Sequence, residues 1–162
     1  QWIVADLGCG TGQSAAALAP WVTRIEAIDR EPAMLEAARI RLEGHANVTF
    51  HQAEMNALPL PNNSVDLALI SLVLHHVESP AEVVIEAARV LRPGGRLVII
   101  DMVQHDRSEY RDTMGHLHLG FTTTTVQSWT AAAELDKSCV SLLRPDPEAQ
   151  GPGLFAATAR KQ

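Results

Sequence analysis

The stretch VADLGCGTG, residues 4–12, joins the end of an apolar run to three glycines at alternate positions: Gly8, Gly10 and Gly12. The apolar residues Trp2–Leu7 predict a strand, and the Ala-rich residues Gln13–Ala19 predict a short helix. A glycine loop between a strand and a helix offers backbone N–H groups to a ligand. The opening of the chain therefore predicts an α/β fold with a ligand site at this loop.

Acidic residues near the loop indicate which ligand it suits. Asp29 ends the second predicted strand, Thr23–Ile28, and a carboxylate there can accept hydrogen bonds from both hydroxyls of a ribose. That feature fits NAD and S-adenosylmethionine equally. However, the spacing is GxGxG rather than GxGxxG, and Asp6 at the mouth of the loop would repel a pyrophosphate but attract an ammonium group. No Arg or Lys lies between residues 4 and 22 to hold phosphates. The loop therefore favours S-adenosylmethionine and disfavours an NAD-dependent oxidoreductase.

Composition limits the remaining possibilities. The chain has 162 residues, 46% of them hydrophobic and 20% charged, which suits one globular domain. Its net charge of −6 argues against nucleic-acid binding by this segment and suits a cationic ligand. No apolar run approaches the length of about 18 residues that a membrane span needs, and no signal peptide is visible. Two isolated cysteines give no disulfide framework, so the expected location is the cytoplasm.

The rest of the chain alternates apolar runs with helical stretches, as in a mostly parallel sheet with helices on both faces. One helix should have Pro32 in its first turn and Gly44 as its C-cap. Another should begin at Ser79 and run to about Arg92, with Glu82 completing a capping box. The predicted strands between and after these helices are Asn47–His51, Val65–Ser71 and Arg96–Met102, the last preceded by a turn at RPGG.

The C-terminal part predicts a helix over Thr124–Leu135 and two strands, Ser138–Arg144 and Leu154–Arg160. The connection between these strands, residues 145–153, is too short for a crossover helix. The two strands should therefore be antiparallel.

Four segments resemble motifs of the class I S-adenosylmethionine-dependent methyltransferases: VADLGCGTG, AIDREPAML, QAEMNALPLPNNSVDLALISLVLHHV and VLRPGGRLVIIDM. The likeness runs from residue 2 to about residue 102 and points to the small-molecule branch that includes the quinone-biosynthesis C-methyltransferases. It implies a Rossmann-like, seven-stranded, mostly parallel sheet of order 3-2-1-4-5-7-6, with only strand 7 antiparallel and helices on both faces.

The resemblance also implies roles for single residues. The methionine part of the cofactor would be lined by Asp6, Gly8, Gly10 and Gly12, with Cys9 as a small filler of the loop. Asp29 would hold the ribose, with Arg30 and Met34 beside the adenine. Glu54, where the family usually has Asp, would accept from the adenine amino group, and Met55 would present its backbone N–H to the ring. Ser71 would face the cofactor, and Leu74 and His75 follow on the loop.

The histidines raise two further questions. An imidazole titrates near neutral pH, so His75 is the candidate catalytic base and His76 a weaker candidate. A metal site at His105, His116 and His118 is conceivable, with Asp106 nearby, but HxH on a loop is common by chance. We therefore predict no metal ligands.

Residues 105–135, HDRSEYRDTMGHLHLGFTTTTVQSWTAAAEL, resemble the methyltransferase-like domain of bacterial fusions with an ArsR-type regulator. The shared elements are His105-Asp106, the GHxxLGF-like run 115–121 and Trp129. Because the chain also begins inside its first strand, we interpret residues 1–162 as one S-adenosylmethionine-binding domain that lacks an N-terminal cap or an upstream domain.

Two functions remain open at this stage. The first is a methyltransferase that acts on a small molecule and releases S-adenosylhomocysteine. The second is a non-catalytic domain that senses S-adenosylmethionine or S-adenosylhomocysteine for an upstream winged-helix DNA-binding domain. A homodimer is a further hypothesis about partners.

Overall fold

The computed structural model describes residues 2–145, 148 and 150–162. Its centre is one seven-stranded sheet of order β3-β2-β1-β4-β5-β7-β6. The strands are β1 (Ile3–Leu7), β2 (Arg24–Asp29), β3 (Val48–Gln52), β4 (Val65–Ser71), β5 (Leu91–Met102), β6 (Leu135–Leu142) and β7 (Leu154–Lys161). The strands β1 to β5 pair in parallel, whereas β7 is antiparallel to both β5 and β6. The predicted strand order, the single antiparallel strand and the C-terminal hairpin are confirmed.

Within the described residues, five α-helices accompany the sheet: α1 (Gln13–Leu18), α2 (Pro32–Arg41), α3 (Pro80–Val90), α4 (Glu109–Met114) and α5 (Thr123–Ala132). Two 3₁₀ turns, Ala19–Trp21 and Leu74–His76, follow α1 and β4. None of the helices in the described ranges has both the length and the apolar character to cross a membrane.

Two apolar clusters lie on opposite faces of the sheet. On one face, Ala15 of α1 and Leu35 and Ala38 of α2 pack with Val4 and Ile25. On the other face, α3 and α5 contribute Val84 and Val126 to the larger cluster around Leu7, Ile70 and Ile99. Burial on both faces explains why the central strand β4 is almost entirely apolar.

Two predicted helix ends are wrong in detail. The helix α2 ends at Arg41 with the buried Leu42 as its C-cap, and Gly44, with a φ of +92°, lies in the turn beyond. Ser79 is the N-cap of α3, as predicted, but its side chain makes no capping hydrogen bond. The carboxylate of Glu82 instead accepts a hydrogen bond of 3.3 Å from Asn56, so the capping box does not form.

Larger differences from prediction concern the start of β5, the end of α5 and the helix α4. The strand β5 begins at Leu91, and a register shift in its pairing with β4 accommodates RPGG within the strand. The helix α5 ends at Ala132 because Glu134 has a positive φ of 56°, and Leu135 already pairs with Lys161 of β7. The short helix α4 lies in the polar stretch to which the sequence assigned no element.

Residues 104–120, here called the covering loop, leave and rejoin the sheet at almost the same point. Val103 bridges to Phe121, and the Phe121 N–H donates to the Met102 carbonyl at 2.9 Å. Gly120 has a φ of +73°, and a Cβ there would lie 2.3 Å from the Val103 carbonyl oxygen, so only glycine fits this crossing. The N–H groups of Leu117 and His118 donate to the His75 carbonyl at 2.9 and 3.1 Å. These bonds hold the covering loop over the 3₁₀ turn that follows β4.

Candidate functional site

A cleft lies at the carboxyl ends of β1, β2 and β4, where the order of strands reverses. This is the usual ligand position in an open α/β sheet. The cleft consists of three adjoining cavities of about 630, 60 and 550 Å³, here called the glycine-loop, middle and outer cavities. His76 lines all three of them.

The backbone of the glycine loop forms one wall of the cleft. The N–H groups of Gly8 and Cys9 both donate to the Ile28 carbonyl, at 2.8 and 2.9 Å, which fixes the loop over the end of β2. Gly8 has a φ of +70°, and a Cβ there would lie 2.7 Å from Val73, so a side chain fits neither the backbone nor the space. A Cβ at Gly10 would meet nothing within 4 Å, which leaves this part of the loop open to a ligand.

Asp29 holds the loop from the opposite side. One carboxylate oxygen accepts from the Gly10 N–H at 2.8 Å, and the other accepts from the Glu31 N–H at 3.0 Å. Each oxygen has a second lone pair, so the carboxylate can still accept hydrogen bonds from a ligand in the cavity. Asp29 therefore both shapes the loop and presents an acceptor to the cleft.

Asp6 is the most perturbed group of the site. It is 1% exposed, and its carboxylate accepts from the Ala15 N–H, but Oδ2 has no hydrogen-bond partner among the described residues. Burial raises the pKa of Asp6 from 3.8 to about 7, and the charge of Asp29 adds to this effect. A buried carboxylate with a free oxygen is suited to bind a cation or a hydrogen-bond donor.

Cys9 is a neutral part of the loop. Its side chain is buried, and burial together with the charges of Asp6 and Asp29 raises the pKa of the thiol to about 12. A thiol in this state is not a nucleophile near neutral pH. The structure is therefore consistent with Cys9 as a small filler that lines the glycine-loop cavity.

The predicted residues largely converge on the cleft. The glycine-loop cavity is lined by Asp6, Gly8, Cys9, Gly10, Asp29, Met34 and Ser71. The middle cavity is lined by Gly8, Asp29, Arg30, Glu54 and Met55. The two charged residues that line the glycine-loop cavity, Asp6 and Asp29, are both acidic.

Three predicted residues lie behind the cleft. Gly12 precedes α1, and a Cβ there would lie 2.9 Å from Leu42, so this glycine allows α1 and α2 to approach each other. Leu74 is 0% exposed and belongs to the core. His75 is 2% exposed, and its Nδ1 lies 2.7 Å from Oδ1 of Asp101.

Asp101 organises this second, histidine-rich end of the cleft. The residue is 0% exposed at the end of β5 and also accepts from the backbone N–H groups of Leu74 and Met102, at 3.0 and 2.7 Å. With Nδ1–H of His75 assigned as the donor to Asp101, Nε2 of His75 is left as an acceptor. The carboxylate therefore fixes the orientation and the tautomer of His75.

Two more imidazoles pack against His75. The centroid of its ring lies 4.3 Å from that of His76 and 4.3 Å from that of His116. Burial lowers the pKa of His76 and of His116, and the neighbouring imidazoles lower both further. His116 is 4% exposed, and its Nδ1 has no hydrogen-bond partner among the described residues.

Three residues of the site had no role in the prediction from sequence: Leu72, Val73 and Asp101. Leu72 and Val73 line the glycine-loop cavity, and Leu72 has a strained φ of +54°. Asp101 has the same signal as Asp6, because each is a lone acid at the end of an apolar strand: VADL and VIIDM. The choice between His75 and His76 as the residue facing the cleft depends on the 3₁₀ turn, which the sequence pattern does not reveal.

Known proteins resemble this chain in sequence and in fold. A family model described as "Methyltransferase domain" matches residues 5–99. An uncharacterised 37.1 kDa protein of transposon Tn4556 from Streptomyces fradiae is 44% identical over 97 residues, which cover 58% of this chain and 28% of that protein. A demethylmenaquinone methyltransferase from Clavibacter sepedonicus is 42% identical over 98 residues, which cover 60% of this chain and 40% of that protein.

The matched region makes up less than half of the length of these two relatives. Among solved structures, the YcgJ protein of Bacillus subtilis superimposes with a TM-score of 0.84 at 20% identity. That alignment covers 100% of this chain and 92% of YcgJ, so the two proteins share the fold.

Proposed function

This chain belongs to the methyltransferase domain family, and on that premise we propose that it transfers a methyl group from S-adenosylmethionine to a small-molecule acceptor. The observation that carries the proposal is the arrangement of Asp6, the open backbone at Gly10 and Asp29 around one cavity. This wall is acidic and lacks a cation for a phosphate, which favours a cofactor with a sulfonium and an ammonium group.

The residues of the cleft fit this cofactor. The unpartnered oxygen of Asp6 would bind the ammonium group or a water molecule held by it, and Asp29 would accept from the ribose hydroxyls. The adenine would extend from the middle into the outer cavity, both of which are lined by Glu54 and Met55, with Glu54 accepting from its amino group and Met55 donating its backbone N–H. Arg30 and Met34 would flank the ring, and Ser71 would face the methionine part.

The chemistry asks little more of the protein than position. The bound cofactor supplies an activated methyl group, so the chain needs to align the acceptor and to exclude water. The apolar side chains of Leu72 and Val73 lie beside the glycine-loop cavity and would keep water from this part of the cleft. The acceptor would have to reach the junction of the glycine-loop and middle cavities, where both are lined by Val73 and His76.

His75 is our candidate for a proton acceptor where the acceptor molecule must lose a proton. Asp101 orients its ring, but His75 is 2% exposed, whereas the neighbouring His76 lines the cleft. His76 is the second candidate for this role, and its ring centroid lies 4.3 Å from that of His75.

Calorimetric titration with S-adenosylhomocysteine tests the cofactor assignment directly. We expect one site per chain for S-adenosylhomocysteine and no heat of binding for NAD under the same conditions. Absence of S-adenosylhomocysteine binding would overturn the proposal.

A transfer assay then separates an enzyme from a sensor. S-adenosylmethionine labelled in its methyl group is incubated with panels of phenols, quinols, amines and thiols, and labelled product is counted. Tight binding of S-adenosylhomocysteine without transfer to any panel would instead support a sensory domain for an upstream DNA-binding partner. Sedimentation of the chain alone tests the homodimer that we also propose.

A further inference from the structure

The imidazoles of His75, His76 and His116 form one compact group beside the cleft, here called the histidine trio. We propose that the histidine trio binds a divalent transition-metal ion of the zinc class. The sequence led us to expect no metal ligands, and the histidine trio joins two residues of the turn after β4 to a third residue on the covering loop.

The distances within the trio approach those of a three-histidine site. One nitrogen from each ring lies within 4.8 Å of the others, and the three ring centroids are 4.3, 4.3 and 5.0 Å apart. A tetrahedral zinc ion with Zn–N bonds of about 2.0–2.1 Å places its donor nitrogens about 3.4 Å apart and the ring centroids about 5 Å apart. Only the His76–His116 separation of 5.0 Å already matches this spacing, so binding would require the imidazoles to rotate and His75 to move slightly away from the other two rings.

His116 supplies an independent indication of a ligand. Its ring is almost fully buried, and Nδ1 has no hydrogen-bond partner among the described residues. A buried polar atom without a partner is costly, and native proteins satisfy nearly all such atoms. An ion bound by this ring and its neighbours would relieve that cost.

The surroundings orient two of the rings as metal sites do. Asp101 accepts from Nδ1 of His75 at 2.7 Å, and the Gly115 carbonyl lies 3.2 Å from Nδ1 of His76. Each contact leaves Nε2 as the free nitrogen of that ring. Histidine ligands in proteins characteristically donate their second N–H to a carboxylate or a backbone carbonyl in this way.

The ligand set also indicates the class of ion. Three neutral imidazoles suit Zn²⁺, Co²⁺, Ni²⁺ or Cu²⁺, whereas Mg²⁺ and Ca²⁺ prefer oxygen ligands. Three protein ligands leave a fourth position of a tetrahedral ion open. His76 lines all three cavities, so the open position would face the cleft. An ion bound by Nε2 of His75 and His76 would prevent either ring from accepting a proton, and its binding is measurable without cofactor or acceptor.

Titration of the tag-free chain with Co²⁺, followed by visible absorption, tests the proposal. We expect one tetrahedral Co²⁺ per chain, displaced by Zn²⁺. The variants His76→Gln and His116→Gln should each weaken Co²⁺ binding at least about tenfold. The matched control is His118→Gln, because His118 lies on the same loop but bonds to the Val77 carbonyl at 2.9 Å. Its affinity should stay within about twofold.

Several results would overturn the proposal. These are no Co²⁺ or Zn²⁺ binding by the chain, unchanged binding in His76→Gln, or an equal loss in His118→Gln. Circular dichroism checks that each variant is folded, and if His116→Gln does not fold, the partly exposed His76 decides the matter. Titration of His116→Gln with S-adenosylhomocysteine keeps the two proposals apart, because His116 lines none of the three cavities and we expect that affinity to change by less than about threefold.

Discussion

The glycine-loop end and the histidine end of the cleft solve a similar problem with opposite chemistry. Each buries a titratable group with an atom that has no hydrogen-bond partner in the described part of the chain: Oδ2 of Asp6 at one end and Nδ1 of His116 at the other. Burial raises the pKa of Asp6 to about 7 and lowers the pKa of His116. Near neutral pH, the acid is half protonated and the imidazole is neutral, so each end is ready for a positively charged ligand.

The two ends differ in how the chain assembles them. Asp6 and the glycine loop are contiguous, and only Asp29 comes from a second strand. The histidine end brings together three separate segments: the 3₁₀ turn after β4, the end of β5 and the covering loop. A contiguous site is set by local backbone geometry, whereas the assembled site depends on where the covering loop lies.

The largest expected effect is the response of stability to Asp6→Asn. The folded-state pKa of Asp6 is raised from 3.8 to about 7, so ionisation of this buried carboxyl lowers the free energy of unfolding. This destabilisation is absent below about pH 4 and reaches its full size above about pH 7. Asn cannot ionise, and the variant should therefore gain about 4 kcal/mol of unfolding free energy at pH 8 and less than half of that at pH 5. Urea unfolding at both pH values measures the gain, with the exposed Asp112→Asn as control.

The same variant should bind S-adenosylmethionine more weakly, because it lacks the charge that faces the ammonium group. A stability gain of equal size at pH 5 and pH 8 would show that ionisation of Asp6 is not its cause. Asp6 would then not differ from His116 in the way that burial changes its charge.

The next effect concerns the histidine end. Asp101→Asn puts an amide where three donors converge, from Leu74, His75 and Met102, and one of them must lose its acceptor. We expect a loss of about 3 kcal/mol in the free energy of unfolding, because the site is fully buried. Calorimetry on the folded variant should give an affinity for S-adenosylhomocysteine within about twofold of the parent. A large drop in that affinity would mean that the two ends are coupled.

Asp29→Ala should instead lower the affinity for S-adenosylhomocysteine, because Asp29 lies at the glycine-loop end. The substitution removes the proposed ribose acceptor and frees the N–H groups of Gly10 and Glu31. We expect a loss of about 1–3 kcal/mol in the binding free energy of S-adenosylhomocysteine. Calorimetry measures it, and Co²⁺ titration of the same variant should show unchanged metal affinity. An unaltered affinity for S-adenosylhomocysteine would place the ribose elsewhere.

The smallest effect is a pH dependence of cofactor affinity. With a pKa of about 7, the ionised fraction of Asp6 rises about tenfold between pH 6 and pH 8, and affinity for S-adenosylmethionine should rise in proportion. Of the other titratable groups nearby, the Cys9 thiol has a pKa of about 12 and stays neutral, and burial lowers the pKa of His76, which reduces its share of the slope. The Asp6→Asn variant should show no such slope, and an equal slope in both proteins would exclude Asp6 as its source.

The sequence predicts most of the fold because its signals are local. The apolar run Val65–Ser71 has the bounds of β4, and the short connection after β6 gives the antiparallel hairpin. The details that fail are set by distant contacts: Glu82 turns to Asn56 rather than to its own helix end, and Leu135 joins β7 rather than α5.

The site divides in the same way. Asp6, Gly8, Gly10 and Asp29 converge because a strand–loop–helix unit and the neighbouring strand place them at one edge of the sheet. Which of His75 and His76 faces the cleft depends on the 3₁₀ turn in which they lie. Their contact with His116 depends on the path of a distant segment, since His76 and its hydrogen-bond partner Gly115 are 39 positions apart. No periodicity in the sequence reports such a contact.

The bridge between Val103 and Phe121 closes the covering loop at the sheet, so the segment that covers the cleft is structurally separate from the strands. Since the two ends of the loop already meet at the sheet, the length and sequence of the segment between them can change without altering the strands. Doubling the length of such a closed loop costs only about 0.6 kcal/mol of entropy. Exchange of residues 104–120 would therefore change the acceptor molecule at little cost in stability. Because His116 lies in this segment, the histidine end would be kept or lost together with it.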